Sequence, residues 1–530
     1  MSGDRYEVSS DSDSSDSSAT APQLESNSSM GPSASSSGSV AAAECYHVQQ
    51  SDVKVHVQLA SGQVSRFSRW QTLSVPTQLR RREYGLVAYS RNRSFSSGQK
   101  CHVSNQFLPN KRRLFDKRET KTFCCHYMDN GNTLLTASQD HFIRVYSRKR
   151  GSGTYKQVKS IRAPYVGWSI LDLAVSPDGR HCIYATWADC VHQCHLTGNE
   201  ADWEAFNLEP IDHRFCVFSL RFSQDGREVL AGASDGRLYV YDRERAQCIL
   251  KIDAHEDDVN AVCFGDEGSN LIYSGADDGL CRVWDRRTLS EERPRSVGVL
   301  AGHSDGITFI DSKRDGRFLI TNSKDQSIKL WDIRKFSSQT AMQATRQAVK
   351  RQDWDYRLQS VPKSARRFNR IDGDSSVITY RGHTVLHTLI RCYFSPLAVT
   401  GQKYIVCGDA KGSCIIYELL TGEIVKRLRG HESCVRDIDW HPFENEICTV
   451  GWDGTAATWR YDERAARDTN PETARGNGEP VGDEDSCDDE AELRWNKRRL
   501  RSWRIGSGRR LRRISSLLNS DESDRDNTQL

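Results

Sequence analysis

Between about Thr120 and Asp462 the chain is written in short runs of alternating apolar and polar residues. Phe318-Leu319-Ile320-Thr321 and Ser327-Ile328-Lys329-Leu330 are typical, and Asp-Gly steps separate many such runs. A period of two, broken every few residues by a turn, predicts short antiparallel strands rather than helices. A longer period lies over the short one. The segments beginning at His255, His303 and His431 align with one another: each His is followed 22 or 23 residues later by an Asp, and a Trp stands six beyond it. The sets are His255, Asp278 and Trp284; His303, Asp325 and Trp331; and His431, Asp453 and Trp459. A Ser or Thr precedes each Asp by four positions, at Ser274, Thr321 and Thr449.

A repeat of this length and content resembles the Gly-His to Trp-Asp signature of the WD repeat, in which four antiparallel strands make one propeller blade. The four side chains of each set can form one buried hydrogen-bonded chain tying three strands, with every member satisfied. These histidines are therefore read as structural staples, not metal ligands or general bases. Weaker copies keep parts of the pattern. Asp235 with Tyr241, and Asp140 with Tyr146, preserve the offset of six without a Gly-His, and 166–196 is irregular. The copy starting at Gly382-His383 has Lys411 where the Asp belongs, which predicts a blade lacking its staple. Seven starts, near residues 120, 166, 214, 255, 303, 383 and 431, predict an all-β, seven-bladed propeller over 119–462. The last blade lacks an outer strand, and fold analogy assigns that strand to Lys111–Lys117. An insert at 336–375 joins the third and fourth strands of blade five, and strand alternation places it on the face where such connections open.

The flanks are of another kind. Residues 1–50 are rich in Ser and Asp, with sixteen Ser among the first forty, and cannot bury enough apolar surface to fold. Their Ser-Asp steps suit acidophilic kinases. The 51–118 extension is basic: thirteen Lys or Arg stand against two acids from Arg66 to Arg118. The 463–530 tail has seven acids in the ten residues Asp483–Glu492, then ten Lys or Arg in the twenty residues Arg494–Arg513. Both tails, 1–50 and 463–530, are expected to be disordered. No stretch is apolar enough to span a membrane and the N-terminus has no signal-peptide core, so seventeen scattered Cys read as reduced thiols in the nucleus and cytoplasm. The net charge of +3 favours no class of partner.

Candidate chemistry is sparse. P-loop, dinucleotide-fingerprint, nucleophile-elbow and H-E-x-x-H patterns do not occur, so neither catalysis nor a cofactor is expected. Cys190, His192 and Cys194 share one face of a strand, but strand neighbours two apart converge poorly on a tetrahedral ion, so no metal is expected. Direct nucleic-acid binding would rest on the basic flanks alone and is not expected.

The informative residues follow two of the Trp-Asp pairs. Trp284-Asp285-Arg286-Arg287 and Trp331-Asp332-Ile333-Arg334 are both W-D-x-R, on consecutive blades and 47 residues apart. Connections from third to fourth strands open on one face, so Arg287 and Arg334 share it, with Asp285 and Asp332 placed to orient the guanidinium groups. Trp354-Asp355-Tyr356-Arg357 matches by spelling, but it lies in a helix-compatible part of the insert and follows no tetrad Asp.

Paired boxes of this kind resemble those of the WD-repeat substrate receptors of cullin-4 E3 ubiquitin ligases. Further strings resemble one branch of that family over about Phe107 to Trp459, among them 257–262, 306–313 and 386–392. The resemblance implies a non-catalytic receptor that binds the damaged-DNA-binding adaptor and the cullin-4 scaffold through Asp285, Arg287, Asp332 and Arg334, and presents targets for ubiquitination and proteasomal degradation. The alternative is a WD-repeat scaffold in a nuclear assembly for chromatin or RNA processing. Whether clients meet the opposite face or the central channel is not encoded in any residue pattern.

Overall fold

The computed structural model describes residues 52–63, 95–196, 203–210, 215–362 and 370–468. They form seven antiparallel sheets of four strands each. In chain order the blades span 122–162, 172–207, 217–253, 259–300, 307–381 and 392–429, and the seventh is 435–460 completed by Lys111–Lys117. Each innermost strand touches the next, and Val435–Trp440 of blade seven returns to Thr122–Met128 of blade one, so the blades close into a ring. The closing strand pairs Arg112 with Trp459 and Lys117 with Thr455.

Burial explains the patterning. Ser327–Asp332 is buried at every position because neighbouring blades cover both of its faces. The outer strand Gln247–Asp253 is buried only at Ile252. Apolar side chains of adjacent blades interdigitate: Phe318, Ile328 and Tyr380 of blade five share a cluster with Ile405, Ile415 and Tyr417 of blade six.

Among the described residues five short α-helices accompany the ring: α1 (Val53–Ala60), α2 (Ser97–Ser104), α3 (Gln339–Lys350), α4 (Leu397–Thr400) and α5 (Glu463–Asp468). The extension before the closing strand thus contributes two helices that its basic composition concealed. Val53 and Val57 of α1 are wholly buried in the cluster of blades five and six. On α2, Cys101 Sγ lies 3.5 Å from the Leu397 carbonyl, and Asn105, just past the helix end, donates to the Thr400 carbonyl. The short helix α5 corrects the disordered reading of 463–468. The other tail residues, 1–50 and 469–530, lie outside the described residues.

The insert also differs from the alternation argument. It leaves blade five at the expected face, but Ser337 bonds along the outer strand of blade four, to Val299 and Ala301. It then crosses to the opposite face. There Val349 and Thr345 of α3 pack on Gly279, whose φ of +75° and lack of room for a Cβ both require glycine. Arg346 pairs with Glu256 at 2.8 Å, Gln352 donates to the Ser304 carbonyl, and His387 N–H donates to the Tyr356 carbonyl. Strand alternation fixes where a connection starts, and apolar packing of α3 decides where it goes.

Candidate functional site: the two Asp–Arg boxes and the opposite mouth

The tetrads hold the strands that carry the boxes. In blade four Trp284 Nε1–H donates to Ser274 Oγ at 2.9 Å, Ser274 Oγ lies 2.7 Å from His255 Nε2, and His255 Nδ1 lies 3.0 Å from Asp278. Blade five repeats this with Trp331, Thr321, His303 and Asp325 at 2.8, 2.6 and 2.9 Å. Blade seven repeats it with Trp459, Thr449, His431 and Asp453 at 2.8, 2.7 and 3.2 Å. Burial works to raise the Asp325 carboxyl, but His303 beside it holds it well below the usual range, and Asp453 is held down by His431 in the same way. Blades one and three replace the missing His from the third strand: Arg144 bonds Asp140, and Tyr239 OH donates to Asp235 at 2.6 Å.

Blade six lacks the His–Asp staple, as Lys411 implies, but its histidine is held in another way. His383 Nδ1 lies 3.0 Å from Tyr417 OH, and Nε2 lies 3.0 Å from Oδ1 of Asn322 in blade five. The residue that should have bonded an Asp within its own blade instead ties two blades together. Burial pushes its pKa down to about 3, so the ring is neutral.

The boxes form as forks. Arg287 donates from Nε and Nη2 to the two carboxylate oxygens of Asp285 at 2.9 and 2.7 Å, and its side chain is 69% exposed. Arg334 makes the same fork to Asp332 at 3.3 and 3.2 Å, and it has a second partner: Asp52, which precedes α1, accepts from Nη2 at 3.1 Å. Asp52 also pairs with Arg317 at 3.0 Å. Both forks end the third strands of their blades and open on one face, where α1 and α2 also lie. Nothing in the sequence pointed to Asp52. The third spelling, Trp354 to Arg357, forms a turn rather than a helix. Arg357 and Asp355 make the same fork at 2.9 and 2.8 Å, but on the opposite face. The fork is intrinsic to the tetrapeptide; what distinguishes the other two is their place at adjoining strand ends.

The axis of the ring is closed by charge. Arg391 of blade six reaches Asp172 of blade two at 2.5 Å and Asp437 of blade seven at 3.0 Å, and Arg221 also holds Asp172. Blades six and two stand three places apart in the ring, so Arg391 spans the channel. Burial works to raise Asp172, yet Arg391 and Arg221 keep it below its ordinary value. The thiols of Cys182 and Cys194 meet at 3.0 Å inside blade two, while His192 stacks between Tyr165 and Tyr184.

Known proteins place the architecture. The family described as WD domain, G-beta repeat matches residues 116–147, 208–242, 246–285, 294–332 and 422–460. The DDB1- and CUL4-associated factor 11 homolog of Caenorhabditis elegans is 45% identical over 399 residues, covering 73% of this chain and 69% of the worm protein. The chain belongs to the DDB1- and CUL4-associated factor 11 family. The LEC14B homolog of Prunus armeniaca is 41% identical over 69% of this chain and 78% of its own length. Human pre-mRNA-processing factor 17 is more distant, 27% identical over 63% of this chain and 57% of its own. Family membership thus extends past the matched repeats, which omit blades two and six, where the tetrads are most altered.

Proposed function

We propose that the chain is the substrate receptor of a cullin-4 RING E3 ubiquitin ligase, binding the DDB1 adaptor and presenting client proteins for ubiquitination and degradation. The carrying observation is the pair of Asp–Arg forks on neighbouring blades, opening on one face, in a chain whose relatives are named for association with DDB1 and CUL4. Each fork holds a guanidinium with its remaining N–H groups outward, which suits charge-assisted bonds to a partner. The receptor itself is non-catalytic: the ubiquitin chemistry belongs to its partners. It acts in the nucleus and cytoplasm. Among the described residues no helix is long and apolar enough to cross a membrane.

Capture of purified adaptor and cullin-4 by this chain tests the reading. Stoichiometric capture supports it, and a folded chain that captures neither is a scaffold of some other assembly, the second reading.

A further inference from the structure

On the face opposite the forks, four blades meet around buried donors that lack acceptors. Arg436, in the innermost strand of blade seven, is 2% exposed. Its Nη1 and Nη2 donate to the carbonyls of Phe123 and Leu171 at 3.3 and 3.0 Å. Its Nε has no partner, and among the described residues no carboxylate lies within ion-pairing distance of it. Trp452, in the turn before the third strand of blade seven, lies 5.8 Å from the Phe123 ring, with its buried Nε1 also unpartnered. Lys121 Nζ sits 3.7 Å from the centre of the Trp452 ring. Trp168, 43% exposed, also meets Phe123, edge-on at 5.5 Å. Beside it Trp187 is a second indole with a buried, unpartnered Nε1, packed on Phe218 of blade three.

The nearby acceptors are already engaged. Asp172 and Asp437 serve Arg391, Arg221 and Tyr393, and the Leu171 carbonyl serves two guanidinium groups. Asp437 and Asp172 act on Arg436 only at a distance and are shared with Arg391 and Arg221, and a buried donor without an acceptor is costly and calls for one. The insert covers blades four to six on this face, so the open arc runs over blades seven, one, two and three.

We propose that this arc is the client-binding mouth, and that it receives an acidic segment of the client protein with apolar residues flanking the acid. A carboxylate entering beside Phe123 accepts from Arg436 Nε and Trp452 Nε1 and faces Lys121, while the neighbouring apolar side chain lies on Trp168. Arg391 closes the channel beneath, so the segment docks at the mouth and does not thread the ring. This assignment rests on the receptor reading above and gives its client a chemistry.

The test uses the full chain and a fluorescein-labelled octapeptide of alternating glutamate and leucine, followed by fluorescence anisotropy, with adaptor capture measured separately. The acidic peptide should bind at least tenfold more tightly than its glutamine–leucine counterpart. Lys121→Gln and Trp452→Phe should each weaken it several-fold, and Arg436→Met tenfold or more, with adaptor capture at wild-type levels throughout. Arg436→Met also gives up the bonds to the Phe123 and Leu171 carbonyls, so its melting is measured alongside; if it fails to fold, the other two variants decide. Equal binding of both peptides overturns the proposal. So does acidic-peptide binding that appears only when the chain is truncated after Asp468, which would make Asp483–Glu492 of this chain the occupant. Displacement by single-stranded oligothymidine with a steep salt dependence overturns it as well. Peptide binding without adaptor capture would instead overturn the receptor reading and leave the mouth intact.

Discussion

Asp52 and Arg334 lie 3.1 Å apart, joining the residue before α1 to the second Asp–Arg box. Among the described residues the first box has no such tether: the Arg287 guanidinium bonds its own Asp285. The two boxes, alike in sequence, therefore differ in physical role. Arg287 presents a solvent-facing fork, whereas Arg334 also seats a helix on the same face. Replacing Arg334 by Ala should speed amide exchange across Val53–Ala60 several-fold, and Arg287→Ala should leave that segment unchanged. Neither variant should melt measurably lower than wild type, because both guanidinium groups are over half exposed. Hydrogen-exchange mass spectrometry with a urea titration reads both outcomes.

The tetrad of blade five offers a sharper stability test. Asp325 accepts from the His303 side, from Ser327 Oγ and from the backbone N–H of Ser304 and Ser327. Asp325→Ala strands these donors in a buried site and should cost about 1–3 kcal/mol or more. Denaturant melts of the variant and of wild type measure the difference.

His383 makes a pH-dependent contribution of known sign. Its folded pKa, near 3, lies below that of the unfolded residue, so the unfolded chain binds the extra proton. The stability it protects is present above about pH 6.5 and is lost as pH falls toward 3. A His383→Gln variant should therefore show a shallower fall: between pH 4 and 6 its stability should change by about 1.4 kcal/mol less per pH unit than wild type. Parallel stability–pH curves would contradict the neutral, inter-blade role of this ring.

The position of the insert gives a separation of functions. Because α3 and the turn at Tyr356 lie on the face away from the forks, replacing 339–362 by a short glycine–serine linker should leave adaptor capture unchanged. Surface plasmon resonance with immobilised adaptor checks it. A large loss of affinity would return the insert to the adaptor side.

What could be foreseen in the sequence was whatever is written in side-chain identity at fixed spacing. His303, Thr321, Asp325 and Trp331 declare a hydrogen-bonded set because their chemistry permits little else at those intervals. Arg287 and Arg334 were legible for the same reason. The helix α1 was not: eight residues with two buried valines are too short a period to stand out in a basic segment. Its tie to Arg334 spans 282 positions. The partner of His383 in blade five and the route of the insert over blade four escaped likewise, since both are set by packing between blades rather than by any local pattern. Among the mouth residues, Arg436 and Trp452 are ordinary in sequence, and only their burial without acceptors singles them out.

The central claim is that the face carrying the two forks binds the adaptor. The most direct measurement is capture of purified adaptor by the Arg287→Ala, Arg334→Ala double variant, compared with wild type and with Arg357→Ala as the control fork on the opposite face. A truncated arginine at the centre of a desolvated interface typically costs about 2 kcal/mol or more, roughly thirtyfold. The account predicts that the double variant remains folded and loses adaptor capture at ordinary protein concentrations, while Arg357→Ala captures as wild type does. A folded double variant that binds adaptor with undiminished affinity would contradict it.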